Sequence, residues 1–141
     1  MSDAPKLQYA ALPYRKRTDG LVEVMLITSR GTGRWVIPKG WPIAELTPLE
    51  SAAREAFEEA GITGRIREEP IGRYGYRKDL DTGSHVACAV NVFALEVEEQ
   101  LPAWPEQAQR RTQWFDAREA AAAVHEPELR DIISSLGKSL S

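Results

Sequence analysis

Three carboxylates crowd one short stretch of the chain: Glu55, Glu58 and Glu59, with Arg54 directly ahead of them. On an α-helix the spacing i, i+3, i+4 puts all three on one face, within about 100° of arc. Like charges at these spacings repel by about 0.2–0.5 kcal/mol per pair. They also fall in the last two turns of the helix, where the dipole is negative and disfavours carboxylates. A sequence that obeys local rules elsewhere and breaks two of them here marks a functional site. The simplest compensation is a hard divalent cation bound through oxygen. The plainer alternative is an acidic face turned to water, with Arg54 in a surface pair worth little.

The helix that must position these groups is well punctuated. Thr47 is a natural N-cap, Pro48 suits the first helical position, and Glu50 lies where a capping box needs it. Ala52, Ala53, Ala56, Phe57 and Ala60 supply a packing face, and Gly61 is the stop, so the helix is expected over Pro48 to Ala60. Upstream, Gln8 to Tyr14 is mostly apolar, with Pro13 suggesting an edge position or an irregular end. After a turn at Thr18-Asp19-Gly20, Leu21 to Thr28 is apolar on both faces and reads as a buried strand. Ser29 to Arg34 is a loop, Trp35 to Ile37 a short strand, and Pro38 to Pro42 irregular. Downstream, Gly64 to Arg77 reads as one long strand, Asp79 to Ser84 as a hairpin turn, and His85 to Glu98 as a second long strand. A loop over Leu101 to Gln109 leads to a strand at Thr112 to Phe115. Asp116 then caps a helix over Ala117 to Val124, and a last helix runs from about Glu128 to Leu136, closed by Gly137. This order departs from regular strand–helix alternation and implies a mixed sheet with helices packed on its faces.

The segment Gly40 to Ile62 resembles the Nudix box, G-x5-E-x7-R-E-U-x-E-E-x-G-U, where U is a bulky apolar residue. Gly40, Arg54, Glu55, Glu58, Glu59, Gly61 and Ile62 fall in register. Ala56 is smaller than the usual U, and Leu46 stands where the first glutamate belongs; Glu45 and Glu50 are out of register. That glutamate is commonly a supporting carboxylate, so the resemblance implies weakened rather than abolished chemistry. It also implies a Nudix-type α/β/α sandwich with a mixed β-sheet: one domain over residues 1–141, with 1–7 a flexible tail. The implied reaction is hydrolysis of a nucleoside diphosphate linked to another moiety, or of a related diphosphate. Carried over by position, Glu55 and Glu59 are the principal Mg2+ ligands, with Mn2+ as the alternative ion. Glu58 is a third ligand or the base that activates water, the Lys39 carbonyl completes the site, and Arg54 holds a carboxylate in place. The chemistry is physically coherent, because a cation neutralises the anhydride's charge and acidifies a bound water. Positioning and electrostatics then do most of the catalysis.

Around the box, Leu26 to Arg30, Arg34 to Gly40 and Arg110 to Phe115 look most like the diphosphoinositol polyphosphate and diadenosine polyphosphate branch of the family. That likeness implies phosphate contacts from Ser29, Arg30, His85 and Arg110, with Lys39 and Gly40 also in the substrate site. Independently, cations cluster at Arg15-Lys16-Arg17, Arg30 and Arg34, Arg77-Lys78 and Arg110-Arg111. A basic rim of this kind attracts a polyphosphate, although single pairs are as readily solvated surface. Trp41 beside the box glycine either stacks a base or packs. The competing readings are a hydrolase of a nucleotide sugar such as ADP-ribose and a non-catalytic ligand-binding module. Leu46 suggests the latter, and the three intact glutamates argue against it.

Composition sets the outer bounds. The 141 residues suit one domain, and 18 Lys plus Arg against 21 Asp plus Glu give a net charge of −3. With 43% hydrophobic and 28% charged residues the chain is expected to fold as a globule rather than stay disordered. A single cysteine, Cys88, excludes an internal disulfide framework and a Cys-based zinc site. The acidic balance gives no general attraction to nucleic acid or anionic membrane, which disfavours an RNA cap-processing role. No apolar run approaches the ~18–20 residues of a membrane helix, and Met1 to Gln8 is no secretory signal. The expected compartment is the cytoplasm, the expected partner a small polyphosphate, and homodimerisation is left open.

Overall fold

Apolar side chains alternate along both faces of the central strands, and that alternation sets the layers. The computed structural model describes residues 4–140. In β1 (Lys6–Lys16), Ala10, Leu12 and Tyr14 enter one core and Ala11 the other. In β2 (Val22–Thr28), Val22, Val24 and Leu26 join the first core, Met25 and Ile27 the second. The second core is roofed by α1 (Pro48–Ala60) through Ala52, Ala56 and Ala60. The first is covered by α2 (Ala117–Ala123) and α3 (Pro127–Leu140), chiefly through Ala120, Leu129, Ile133 and Leu136. The result is the expected α/β/α sandwich.

The sheet runs β3 (Trp35–Val36), β2, β1, β7 (His85–Gln100), β5 (Ile62–Ile66). Three further strands pair off this path: β4 (Lys39–Gly40) on β1, β6 (Gly72–Asp79) on β7, and β8 (Thr112–Asp116) on β2. β1 and β7 are parallel and the other pairings antiparallel, so the sheet is mixed. Among the described residues no helix is long and apolar enough to cross a membrane.

Several boundaries differ from the sequence reading. Pro13 is not at an edge: β1 pairs β4 at residues 9–10 and β2 at 14–16, and the proline sits between those pairings, where its missing N–H breaks neither. The stretch 38–42 is not wholly irregular, because Lys39–Gly40 pairs with Tyr9 and Ala10. The single strand expected from Gly64 to Arg77 is two, β5 and β6, interrupted around Pro70. Gly137 does not end the last helix. It lies inside α3 against the Cβ of Ala117, where a larger residue would collide. Of the expected N-terminal tail, residues 1–3 lie outside the described residues, and Lys6 and Leu7 already pair with Cys88 and Ala89.

Candidate active site

The register of α1 is fixed at both ends. The Glu50 N–H donates to Thr47 Oγ1 at 3.3 Å, and the Thr47 N–H returns a bond to Glu50 Oε1 at 2.8 Å, which holds the Glu50 carboxyl below its ordinary range. Gly61 closes the helix at φ +68°, its N–H donating to the Phe57 carbonyl at 2.9 Å; a side chain there would also overlap the Trp104 ring. Between these caps the buried stripe is Ser51, Ala52, Ala56, Glu59 and Ala60, while Ala53 and Phe57 are only half-buried. Glu59 lies three residues past Ala56 and seven past Ala52, so helical periodicity carries it under the sheet with them.

Burying that carboxyl changes its acidity. Glu59 is pushed up to about 9, first by burial and then by its hydrogen bond to Glu55, with the Arg110 guanidinium opposing the rise. Glu55 is raised as well, by burial and by the neighbouring Glu58 charge, while accepting from Glu59 holds it down. At neutral pH Glu59 is thus held on its protonated side, with the Glu55 carboxylate beside it as acceptor. Two further groups shape the pair. The Lys39 N–H donates to Glu59 Oε1 at 3.4 Å, and the carboxylate of Glu55 lies against the bare Cα of Gly40, where any side chain would overlap it. A divalent cation in place of the Glu59 proton would relieve both desolvation and repulsion. Among the described residues no three acidic or histidine groups converge into a closed cage, and Glu58 lines the same cavity without completing one. That donor set suits Mg2+, which keeps several waters and takes one or two carboxylates together with substrate phosphates.

The cavity beside the pair has a volume of about 680 Å³. Its lining includes Glu55, Glu58 and Glu59 together with the cations Arg30, Lys39, Lys78 and Arg110. Arg110 is anchored, not free. Its Nε donates to Glu106 Oε1 at 2.9 Å, its Nη1 to the Thr28 carbonyl at 3.1 Å, and its Nη2 lies 3.6 Å from Glu59 Oε1. Arg30 is half-exposed and donates to Gln109 Oε1 at 3.0 Å. Burial pulls the Lys39 ammonium below its ordinary range, and its Nζ rests 5.0 Å from the centre of the Tyr76 ring. The Tyr76 hydroxyl donates to the buried Gln8 at 2.6 Å. Trp41, 42% exposed, stands at the mouth.

The family model for the NUDIX domain matches residues 7–136. The chain belongs to the Nudix hydrolase family. It is 39% identical over 104 residues to Nudix hydrolase 13, mitochondrial, of Arabidopsis thaliana, an alignment covering 70% of this chain and 52% of that protein. The chain thus spans about half the length of that relative. Against diphosphoinositol polyphosphate phosphohydrolase 3-beta of Bos taurus the identity is 29% over 136 residues, covering 93% of this chain and 77% of that one. The crystal structure of a C. elegans Ap4A hydrolase has the same fold, with a TM-score of 0.69 over 98% of this chain and all of that one, at 18% identity.

Within the Nudix site, eight of the residues expected from the sequence come together: Ser29, Arg30, Lys39, Gly40, Glu55, Glu58, Glu59 and Arg110 all line the cavity. Two do not. Arg54 is exposed and makes no ion pair among the described residues; the guanidinium that reaches a box carboxylate is that of Arg110. His85 pairs with Asp79 on the exposed face of the β6–β7 hairpin, with Arg73 and Arg77, away from the cavity. No other carboxylate takes the place of the missing box glutamate. Leu46 is half-buried outside the cavity lining, Glu50 is committed to the cap, and Glu45 occupies a left-handed turn at φ +70°. The sequence reading missed Glu106, Tyr76 and Gln8, and it named Lys78 only with Arg77, within the basic rim. For Lys78 the signal was present: it follows Tyr74 and Tyr76 at intervals of two, on the inward face of their strand.

Proposed function

We propose that this Nudix domain is a Mg2+-dependent pyrophosphohydrolase that cleaves a phosphoanhydride bond in a highly phosphorylated substrate of the diphosphoinositol polyphosphate or diadenosine polyphosphate type. The observation that carries the reading is the cavity itself, whose lining joins the acidic Glu55, Glu58 and Glu59 to four cations. An acid pair alone would suit a cation, and cations alone an anion; their combination suits a metal-bound polyphosphate. The bovine relative, named for diphosphoinositol polyphosphates, supports the substrate class.

Glu55 and Glu59 would hold the metal, with Gly40 giving the Glu55 carboxylate room and the Lys39 N–H and Arg110 orienting Glu59. A Mg2+ held there would supply charge neutralisation of the phosphates and a more acidic water. The Glu58 carboxylate lines the cavity and makes no hydrogen bond or ion pair among the described residues, so it is free to accept the proton of the attacking water. Arg30 and Lys39 bind phosphate oxygens. Water adds to phosphorus as the bridging P–O bond breaks, and the leaving phosphate departs with that oxygen.

The test is product release from diadenosine polyphosphates, diphosphoinositol polyphosphates and ADP-ribose, with Mg2+, with Mn2+ and with chelator. Metal-dependent turnover, greatest on the longer polyphosphates and reduced at least 100-fold in Glu58→Gln, is the expected result. Turnover confined to ADP-ribose would select the nucleotide-sugar alternative, and tight binding without turnover the non-catalytic one.

A further inference from the structure

The hairpin joining β6 to β7 was expected to supply a phosphate ligand, His85, and the register of these strands places that residue on the face turned away from the cavity. Residues directly opposite one another in an antiparallel pair share a face, and faces alternate with each step. Asp79 pairs with His85, and Arg77 with Ala87; these residues, with Arg73 and Gly75, are exposed. Tyr74 pairs with Val90, Tyr76 with Cys88 and Lys78 with Val86, all buried or half-buried on the other face. Lys78 is therefore the cation that the hairpin sends to the cavity.

Its surroundings are unusual for a lysine. Several cations of the sequence's basic clusters have partners: Arg15 bonds Glu23 and lies 4.0 Å over the Trp114 ring, Arg17 pairs with Asp19, and Arg77 with Asp79. Lys78 makes no hydrogen bond or ion pair among the described residues, not even with Asp81, which also lines the cavity. It faces the same cavity as another cation, Lys39, on whose charge it acts unfavourably. Two ammonium groups facing one space are stabilised by an anion between them.

We propose that Lys78 is a substrate-binding, specificity-determining residue that contacts the phosphate chain beyond the scissile anhydride, so that it favours substrates with longer polyphosphate chains. This deepens the pyrophosphohydrolase reading and rests on it for the word substrate, although the phosphate contact can be tested without turnover. Lys78 contributes its charge from the hairpin, whereas the Arg110 guanidinium is tied to Glu59 and Glu106. It thus acts on binding and leaves the bond-breaking step alone.

The experiment has two arms. In the first, inorganic tripolyphosphate is titrated calorimetrically into the whole chain in chelator, comparing wild type with Lys78→Gln, Lys78→Arg and His85→Ala. Lys78→Gln is expected to weaken binding about tenfold, the size of one charge-assisted contact, with Lys78→Arg restoring most of it and His85→Ala changing nothing. In the second, KM and kcat are compared for a diadenosine tetraphosphate and for ADP-ribose. Lys78→Gln should raise KM for the tetraphosphate about tenfold while kcat for both, and KM for ADP-ribose, stay within about twofold. Unchanged tripolyphosphate affinity in a folded Lys78→Gln overturns the proposal, as does an equal rise in KM for both substrates. If wild type hydrolyses nothing and yet the tripolyphosphate affinity falls as stated, the catalytic reading fails and the phosphate contact stands.

Discussion

The guanidinium of Arg110 lies 3.6 Å from the carboxyl of Glu59, and both side chains are more than nine-tenths buried. The pair bridges the strand β8 approach to the underside of α1, and Arg110 also clamps Glu106 and the end of β2 through the Thr28 carbonyl. A planar fork is needed for three partners in three directions. Arg110→Lys is therefore expected to behave nearly as badly as Arg110→Met. Each should lower stability by about 3 kcal/mol, since a buried charged partner is left unsatisfied. Urea unfolding midpoints check this; a loss below about 1 kcal/mol in Arg110→Met would show that the clamp is ornamental.

The bare Cα of Gly40 gives a second, sharper expectation. Gly40→Ala places a methyl group where the Glu55 carboxylate now lies. Because the clash is with a side chain on the rim of the cavity, the fold should survive with a small drop in Tm. Activity and metal affinity should fall about 10–100-fold, as when the support of a metal ligand is removed. Normal activity in Gly40→Ala would mean that Glu55 does not need this position.

Stability in chelator should depend on pH in a direction set by Glu59. Its folded value, about 9, lies above the ordinary 4.5, so across that window the folded chain keeps a proton that the unfolded chain has released. Metal-free stability must then fall as pH rises from 4.5 towards 9. Thermal melts in chelator at pH 6 and pH 9 should show the lower Tm at pH 9, with the difference reduced in Glu59→Gln and when Mg2+ is present. A Tm that rises over this interval in wild type but not in Glu59→Gln would contradict the assignment.

The cap of α1 separates fold from chemistry. Thr47→Ala removes one half of the capping box at an exposed site outside the cavity lining. It should cost about 1 kcal/mol, or about 2–4 °C in Tm, and leave kcat within about twofold. A large loss of kcat without a matching loss of stability would place the helix start in the catalytic machinery.

These particulars show where sequence was sufficient. The α1 helix was legible because Thr47, Pro48, Glu50 and Gly61 act on their immediate neighbours, and the three glutamates follow from helical geometry alone. The layers followed from alternation in β2. What escaped depends on partners distant in the chain: the two-residue strand Lys39–Gly40 exists because Tyr9 and Ala10 offer it an edge. The hold of Arg110 on Glu59 arises where a loop crosses beneath α1. His85, expected from the family likeness, and Lys78 fall on opposite faces of the hairpin, a difference of register that hairpin signals leave undetermined.

The central claim is that Glu59, beside the Glu55 carboxylate, holds a proton which a divalent cation displaces. Calorimetric titration of Mg2+ or Mn2+ into the metal-free protein at pH 7, repeated in two buffers of different ionisation enthalpy, measures this directly. About one proton should leave per cation bound, with binding lost in Glu59→Gln and Glu55→Gln. Cation binding with no proton released, or binding undiminished in Glu59→Gln, would contradict the account.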